Sequence, residues 1–325
     1  MSLALLVTGA GGALASSVLE LVRSERNAFA RGLSRAELDL RDPFGVQDVV
    51  RLWARILRGD SPDHRLVVVN TAACSSLERA EADEELAYGV NAAGPALLAQ
   101  ACATVEARLI HVSCADVFSG DRVDGPAYDV HDDTGPRSAY GRTKLAGELA
   151  VRELHPDDGY VVRTSWFYGG SGDGLVPMLT RPAEHSAAVR AADDQWGSPT
   201  WTRDLASALI ELARSSAPAG TYHCASSGRA SWFELGQSVL DDLGADRDRI
   251  VAARSEELPS CALRPASAVL SSRSWERAGL TPLRPWREGV TAYVDSLVAT
   301  GSTARVRPAD PTATPSAAPA STSDG

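Results

Sequence analysis

The sequence predicts an α/β fold in which a parallel sheet is covered by helices and followed by a smaller domain. Three observations carry this. Short apolar segments of strand length alternate with segments of helical spacing through the first half. A glycine-rich turn joins the first strand to the first helix. Beyond Thr164 the alternation loosens into a stretch rich in Trp, Gly and Pro. The 325 residues, 44% of them hydrophobic, can bury a core for about two domains.

Leu3–Thr8 is a short apolar run suited to a strand buried on both faces. After the turn, Leu14, Val18, Leu21 and Val22 recur at helical spacing. Leu66–Thr71 reads as another buried strand, and Glu81–Ala103 as a helix interrupted by Gly94-Pro95. Arg108–Ser113 is a strand ending in small polar residues, Ala139–Glu153 a helix, and Tyr160–Thr164 a β-branched strand. The division expected is a dinucleotide domain over 1–164 and a mainly substrate-binding domain over 165–298. Segments of the second, notably Leu205–Arg214, would pack back on the first. Residues 299–325 are rich in Thr, Ala, Pro and Ser and read as a disordered tail.

A net charge of −10 and the absence of a basic run exclude nucleic acid and anionic membranes as main partners. The apolar runs are too short to span a bilayer, and no signal peptide is legible at the start. Five scattered cysteines without a CxxC point to a reducing cytoplasm. The six histidines lack ligand spacing, so no metal is expected.

The turn Thr8-Gly9-Ala10-Gly11-Gly12-Ala13-Leu14-Ala15 sits in the strand–turn–helix context of a dinucleotide site. Gly9 permits the tight turn, and Gly12 lets backbone approach a pyrophosphate. Ala13 and Leu14 open a helix whose N-terminus favours phosphate, and Ala15 is small enough for helix–sheet packing. The alternative is a plain tight turn. At the end of the second strand, Ser34 cannot repel a 2′-phosphate and Arg35 can pair with one, which favours NADPH over NADH; otherwise Arg35 is an ordinary surface arginine.

Of 32 basic residues 31 are arginine, and Lys144 is the only lysine. It lies four residues after Tyr140, on the same helical face. Hydride reduction of a ketone leaves an alkoxide that needs a proton. Tyrosine can give it, and a nearby ammonium is expected to lower the phenol's pKa from about 10. The same lysine can hold the nicotinamide ribose. A surface tyrosine packed on a lysine stem would produce the same spacing.

Seven segments carry a resemblance: TGAGGALA, VVVNTAACSSLERAE, AYGVNAAGPALLAQAC, LIHVSCADVFSG, SAYGRTKLAGE, VVRTSWFYG and DDQWGSPTWTRDLA, in that order. Together, from Leu3 to Leu297, the chain resembles the dTDP-4-dehydrorhamnose reductase branch of the extended short-chain dehydrogenases. The resemblance implies a doubly wound parallel (Rossmann) NAD(P) domain with a smaller C-terminal α+β sugar-nucleotide domain. It implies 4-keto reduction of a dTDP-6-deoxyhexulose, with Tyr140 as acid and Lys144 as its partner. It places Ala72 and Ala73 in a cofactor-contacting stretch after the fourth strand, Asp39 and Leu40 on the adenine side, and Trp166 in the substrate pocket. Asp116 and Arg264 are expected to meet substrate; Arg163, Arg203 and Arg264 are candidates for its diphosphate, each equally readable as a structural salt-bridge partner. A homodimer is compatible with it.

The family's Ser-Thr-Asp-Tyr at the end of the fifth strand reads Ser113-Cys114-Ala115-Asp116 here. The hydroxyl that polarises the carbonyl thus aligns with Cys114, a weaker donor, so either the thiol serves or Ser113 does. Cys114 is otherwise a small core residue. The missing tyrosine suggests a sugar other than the rhamnose precursor, and the missing acid at Ala115 argues against dehydration. Two other readings stay open: an epimerase that retains NAD, and a non-catalytic dinucleotide-binding regulatory subunit.

Overall fold

The computed structural model describes residues 2–60, 63–170, 174–180, 188–259 and 262–305. The first half contains β1 (Leu3–Thr8), α1 (Ala13–Arg23), β2 (Ala28–Leu33), α2 (Pro43–Asp60), β3 (Arg65–Asn70), α3 (Leu77–Ala82), α4 (Glu84–Tyr88), α5 (Gly94–Thr104), β4 (Arg108–Cys114), α6 (Ala139–Leu154) and β5 (Gly159–Thr164). The second half contains β6 (Phe167–Tyr168), α7 (Leu175–Thr180), β7 (Val189–Ala192), β8 (Trp196–Gly197), β9 (Thr200–Trp201), α8 (Thr202–Arg214), β10 (Gly220–His223), β11 (Ala230–Ser231) and α9 (Trp232–Leu243). It ends with β12 (Ile250–Ala253), β13 (Ser267–Ala268), α10 (Arg273–Arg277) and α11 (Trp286–Ala299).

Six parallel strands form one sheet in the order β10-β5-β4-β3-β1-β2. Alternation along β1 explains the two covered faces. Leu3, Leu5 and Val7 join a core with α1 and α8, while Ala4 and Leu6 join another with α2 and α5. The winding reverses between β2 and β3, on either side of β1. A crevice therefore opens at the C-terminal ends of β1 and β3, where doubly wound sheets take their ligands. A third core gathers α7, α9 and α11, and two short sheets carry β7, β8 and β11–β13.

Several expectations change. The stretch between β2 and β3 holds only one helix, α2, which the sequence reading passed over. The segments expected after the fourth and fifth strands therefore follow β3 and β4. Gly94-Pro95 starts α5 rather than breaking a helix, because proline at the first turn gives up an N–H that has no partner there. The interruption falls instead at Asp83 and at a π-helical turn, Gly89–Ala93. The sheet also takes its last strand, β10, from beyond residue 164; α8 packs back on α1, as expected of Leu205–Arg214. Of the tail expected from 299, residues 300–305 are folded back: Arg305 donates to the Asp242 carbonyl and pairs with Asp295. Residues 306–325, and Cys261, lie outside the described residues.

Arg163 of β5 forms a buried ion pair with Glu148 of α6, with a closest N–O distance of 2.7 Å. Replacing Arg163 with alanine should destabilise the fold by about 3–5 kcal/mol, because Glu148 is left as an unpaired buried charge. A urea unfolding midpoint equal to that of the parent would contradict this.

Candidate active site

A cleft of about 710 Å³ lies over the crevice, within the size range of small-molecule sites. One end is the glycine turn. Gly9 has φ +75°, and a Cβ there would stand 2.8 Å from the Ala72 backbone, so only glycine allows the β1 and β3 turns to approach this closely. Gly12 precedes α1 without a side-chain cap, and no acid stands in the helix's first turn. The free N–H groups and the helix dipole suit a phosphate. Gly9, Gly12, Ala13, Leu14, Ser34, Arg35, Asp39, Leu40, Ala72 and Ala73 all line this cleft. Asp39 is held by Arg41, whose hydrogen bonds bring its carboxyl down to about 2. Ser34 gives its N–H and hydroxyl to Glu37, at 2.8 and 2.7 Å. Glu37, three residues on, is thus engaged with that serine.

Tyr140, Lys144 and Ser113 line the deeper part of the same cleft. The start of α6 is fixed from three sides. Ser138 accepts from Gly141 N–H, and Glu81 accepts from Ala139 N–H at 2.8 Å. Gly141 lies so close to the Ala115–Val117 turn that a Cβ would be 2.2 Å from the Asp116 carbonyl oxygen. Asn91, in the π-helical turn, is fully buried; its amide bonds both the N–H and the carbonyl of Cys74 and reaches Thr143 Oγ1 at 3.1 Å. This one side chain ties the loop after β3 to the helix carrying Tyr140 and Lys144.

Lys144 is buried, and its Nζ donates to the Val112 carbonyl at 2.7 Å, with His111 Nε2 at 3.3 Å. Burial, moderated by Cys114 and Glu148, lowers its affinity for a proton. The expected lowering of the Tyr140 pKa is reversed. Burial first, then Cys114 and Asp116, push the phenol well above its usual value. The reason is geometric: the lysine turns toward β4, leaving polar and acidic neighbours around the hydroxyl.

A smaller cavity of about 190 Å³ adjoins the cleft beyond Tyr140; Cys114, Asp116, Thr164, Trp166 and Arg264 line it. Burial raises both the Cys114 thiol and the Asp116 carboxyl. Thr164 Oγ1 and Ser113 Oγ are buried without a hydrogen-bond partner. Of the two candidates at the end of β4, then, Ser113 has the free donor. Trp166 has φ +42° and stacks on Trp232 at 3.8 Å, and Gly197 lies under its ring where no Cβ would fit. Arg264 is bound to Glu78 at 2.7 Å on the cavity rim. Two other arginines are structural. Arg163 is consumed by Glu148, and Arg203 pairs with Glu20 on the outer surface. Asp194 accepts from Ser255, so the Asp193-Asp194 pair serves a turn.

Sequence reasoning missed Asn70, Asn91 and His111. The signal was a polar residue inside an otherwise apolar, buried strand, at Asn70 and His111; nothing marked Asn91. Among the described residues, no cluster of His, Cys, Asp and Glu could hold a metal, and no helix is long and apolar enough to cross a membrane.

Residues 3–299 match the model of the RmlD substrate binding domain family. A dTDP-4-dehydrorhamnose reductase of Mycolicibacterium smegmatis is 40% identical over 299 residues, 92% of this chain and 87% of that one. A dTDP-4-keto-6-deoxy-D-glucose reductase of Streptomyces niveus is 39% identical, covering 88% of this chain and 94% of that one. A crystal structure of Bacillus anthracis dTDP-4-dehydrorhamnose reductase in complex with NADP superposes with a TM-score of 0.82 at 28% identity. It covers 91% of this chain and all of that one.

Asn91→Ala should cost about 1–3 kcal/mol, since it strips the Cys74 N–H and carbonyl of their partner. Hydrogen exchange at Cys74 no faster than in the parent would count against that role.

Proposed function

The chain belongs to the RmlD substrate binding domain family, and from that premise we propose that it is an NADPH-dependent reductase of the 4-keto group of a dTDP-linked 6-deoxyhexulose. The observation that carries this reading is the meeting of Tyr140, Lys144 and the unpartnered Ser113 hydroxyl in the cleft headed by the glycine turn. The residues suit the dinucleotide: a cradle that a Cβ at Gly9 would fill, an uncapped helix N-terminus, and Arg35 at the ribose end. Bound NADPH supplies a hydride equivalent to the carbonyl carbon.

Ser113 donates to the carbonyl oxygen and polarises it, with Cys114 beside it. Tyr140 gives its proton to the same oxygen as negative charge develops, and the product is the alcohol. Lys144, as ammonium, then stabilises the phenolate. Trp166 and Asp116 contact the sugar, and Arg264 exchanges Glu78 for a substrate phosphate. That ion pair is half exposed and so costs little to break. The raised Tyr140 pKa keeps the phenol protonated at neutral and alkaline pH.

Incubation with dTDP-4-keto-6-deoxyhexoses, following NADPH and NADH absorbance separately, tests the reading. Dinucleotide binding without consumption on any of them would turn it to a regulatory subunit. Tyr140→Phe should lower kcat about 10²–10⁴-fold with NADPH affinity kept; full turnover would remove the phenol from the chemistry. Arg35→Ala should weaken NADPH binding about 10–100-fold, the value of a charged hydrogen bond, and leave NADH unchanged. Equal losses for both dinucleotides would deny Arg35 the 2′-phosphate.

A further inference from the structure

The deepest polar groups of the cleft form a row. Thr8, Asn70 and His111 are register partners on β1, β3 and β4, and Lys144 closes the row from α6. Asn70 and His111 are fully buried. Asn70 Oδ1 accepts from Thr8 Oγ1 at 2.7 Å and from the Ala72 N–H at 3.2 Å. A backbone N–H can only donate, so this contact orients the amide. Asn70 Nδ2 must then face His111 Nδ1, at 3.0 Å. An amide N–H likewise only donates, so Nδ1 is the acceptor. The imidazole is therefore neutral, with its single proton on Nε2, directed at Lys144 Nζ.

We propose that His111, held in this tautomer by Asn70, is a positioning residue for the proton on Lys144: it presents an N–H to Nζ, so the free enzyme holds the lysine as a neutral amine that gains its proton when the dinucleotide binds. An N–H against an ammonium sets two donors face to face, whereas against an amine lone pair it makes a hydrogen bond. The bond from Nζ to the Val112 carbonyl is satisfied in either state.

The remaining charged or titratable neighbours leave no anion to hold an ammonium. From β4, Cys114 stays a thiol because burial raises its pKa. From α6, Tyr140 stays a phenol, and Glu148 is already bound through both oxygens to Arg163 of β5. Asp116 acts on Cys114 and Tyr140, and burial raises its pKa as well. A dinucleotide brings phosphate charge into the cleft and ribose hydroxyls to Nζ. It thereby supplies the compensation that the protein lacks, and binding takes up one proton. The inference rests on the dinucleotide reading of the cleft, but its first test does not.

Because Lys144 is the only lysine, protein labelled with [13Cε]lysine gives one resonance that reports this amine alone. In the free enzyme it should titrate below neutral pH, roughly three or more units under the ordinary lysine value of about 10.4. Saturating NADPH should move the midpoint up. Asn70→Asp, which makes His111 carry its proton on Nδ1 and turns a lone pair toward Nζ, should also raise it. So should His111→Gln, whose amide can turn its oxygen to the lysine. A free-enzyme midpoint above neutral pH overturns the proposal whether or not the variants fold. A low midpoint that neither variant shifts also overturns it, since burial alone would then be responsible. A low midpoint that both variants raise, in a protein that reduces no dTDP-ketosugar, would keep the lysine assignment and sink the reductase reading instead.

Discussion

The register of three adjacent parallel strands is the constraint on which the site depends. Pairing Thr8 with Asn70, and Asn70 with His111, puts polar side chains side by side at the sheet's C-terminal edge. They are buried there, where each unpaired group would cost free energy comparable to a lost hydrogen bond. The row is stable because every member finds a partner, and those partners fix directions as well as distances. A slip of one residue in β3 or β4 would turn these groups to the opposite face and remove the support under Lys144.

Close approach is the second requirement, and residues without side-chain bulk supply it. Gly9 lets the first turn touch the turn after β3. Gly141 and Gly147 let α6 lie against the Asp116 and Asn91 carbonyls, which a Cβ would approach to 2.2 and 2.1 Å. Tyr140 and Lys144 thus stand on a helix clamped at two points, with the glycine turn after β1 clamped at a third. The aromatic wall opposite is built the same way, with Gly197 making room for Trp166 in an unusual backbone conformation.

Electrostatics then separate support from chemistry. The chain is acidic as a whole, and many of the arginines among the described residues pair with carboxylates at the surface or, at Arg163, inside. Burial raises the pKa of the phenol, the thiol and the carboxyl that meet beside Tyr140.

The sequence by itself determined what depends on near neighbours. Leu3–Thr8, Arg108–Ser113, Tyr160–Thr164 and the helix from Ala139 were legible because largely apolar runs and local spacing specify buried strands and one helical turn. The glycine turn and the Tyr140–Lys144 pair were legible for the same reason, and α2 carried its period openly at Val46, Val50, Trp53 and Leu57 although it was passed over. Only the tertiary structure decided which arginines line a cavity, because that depends on their partners, Glu148 for Arg163 and Glu78 for Arg264, which the chain around each arginine does not announce. It alone gave Ser113 the free hydroxyl, turned Lys144 toward His111 and raised the tyrosine's pKa. Protonation and pairing are set by groups tens of residues away along the chain, and only the packed fold brings those within bonding distance.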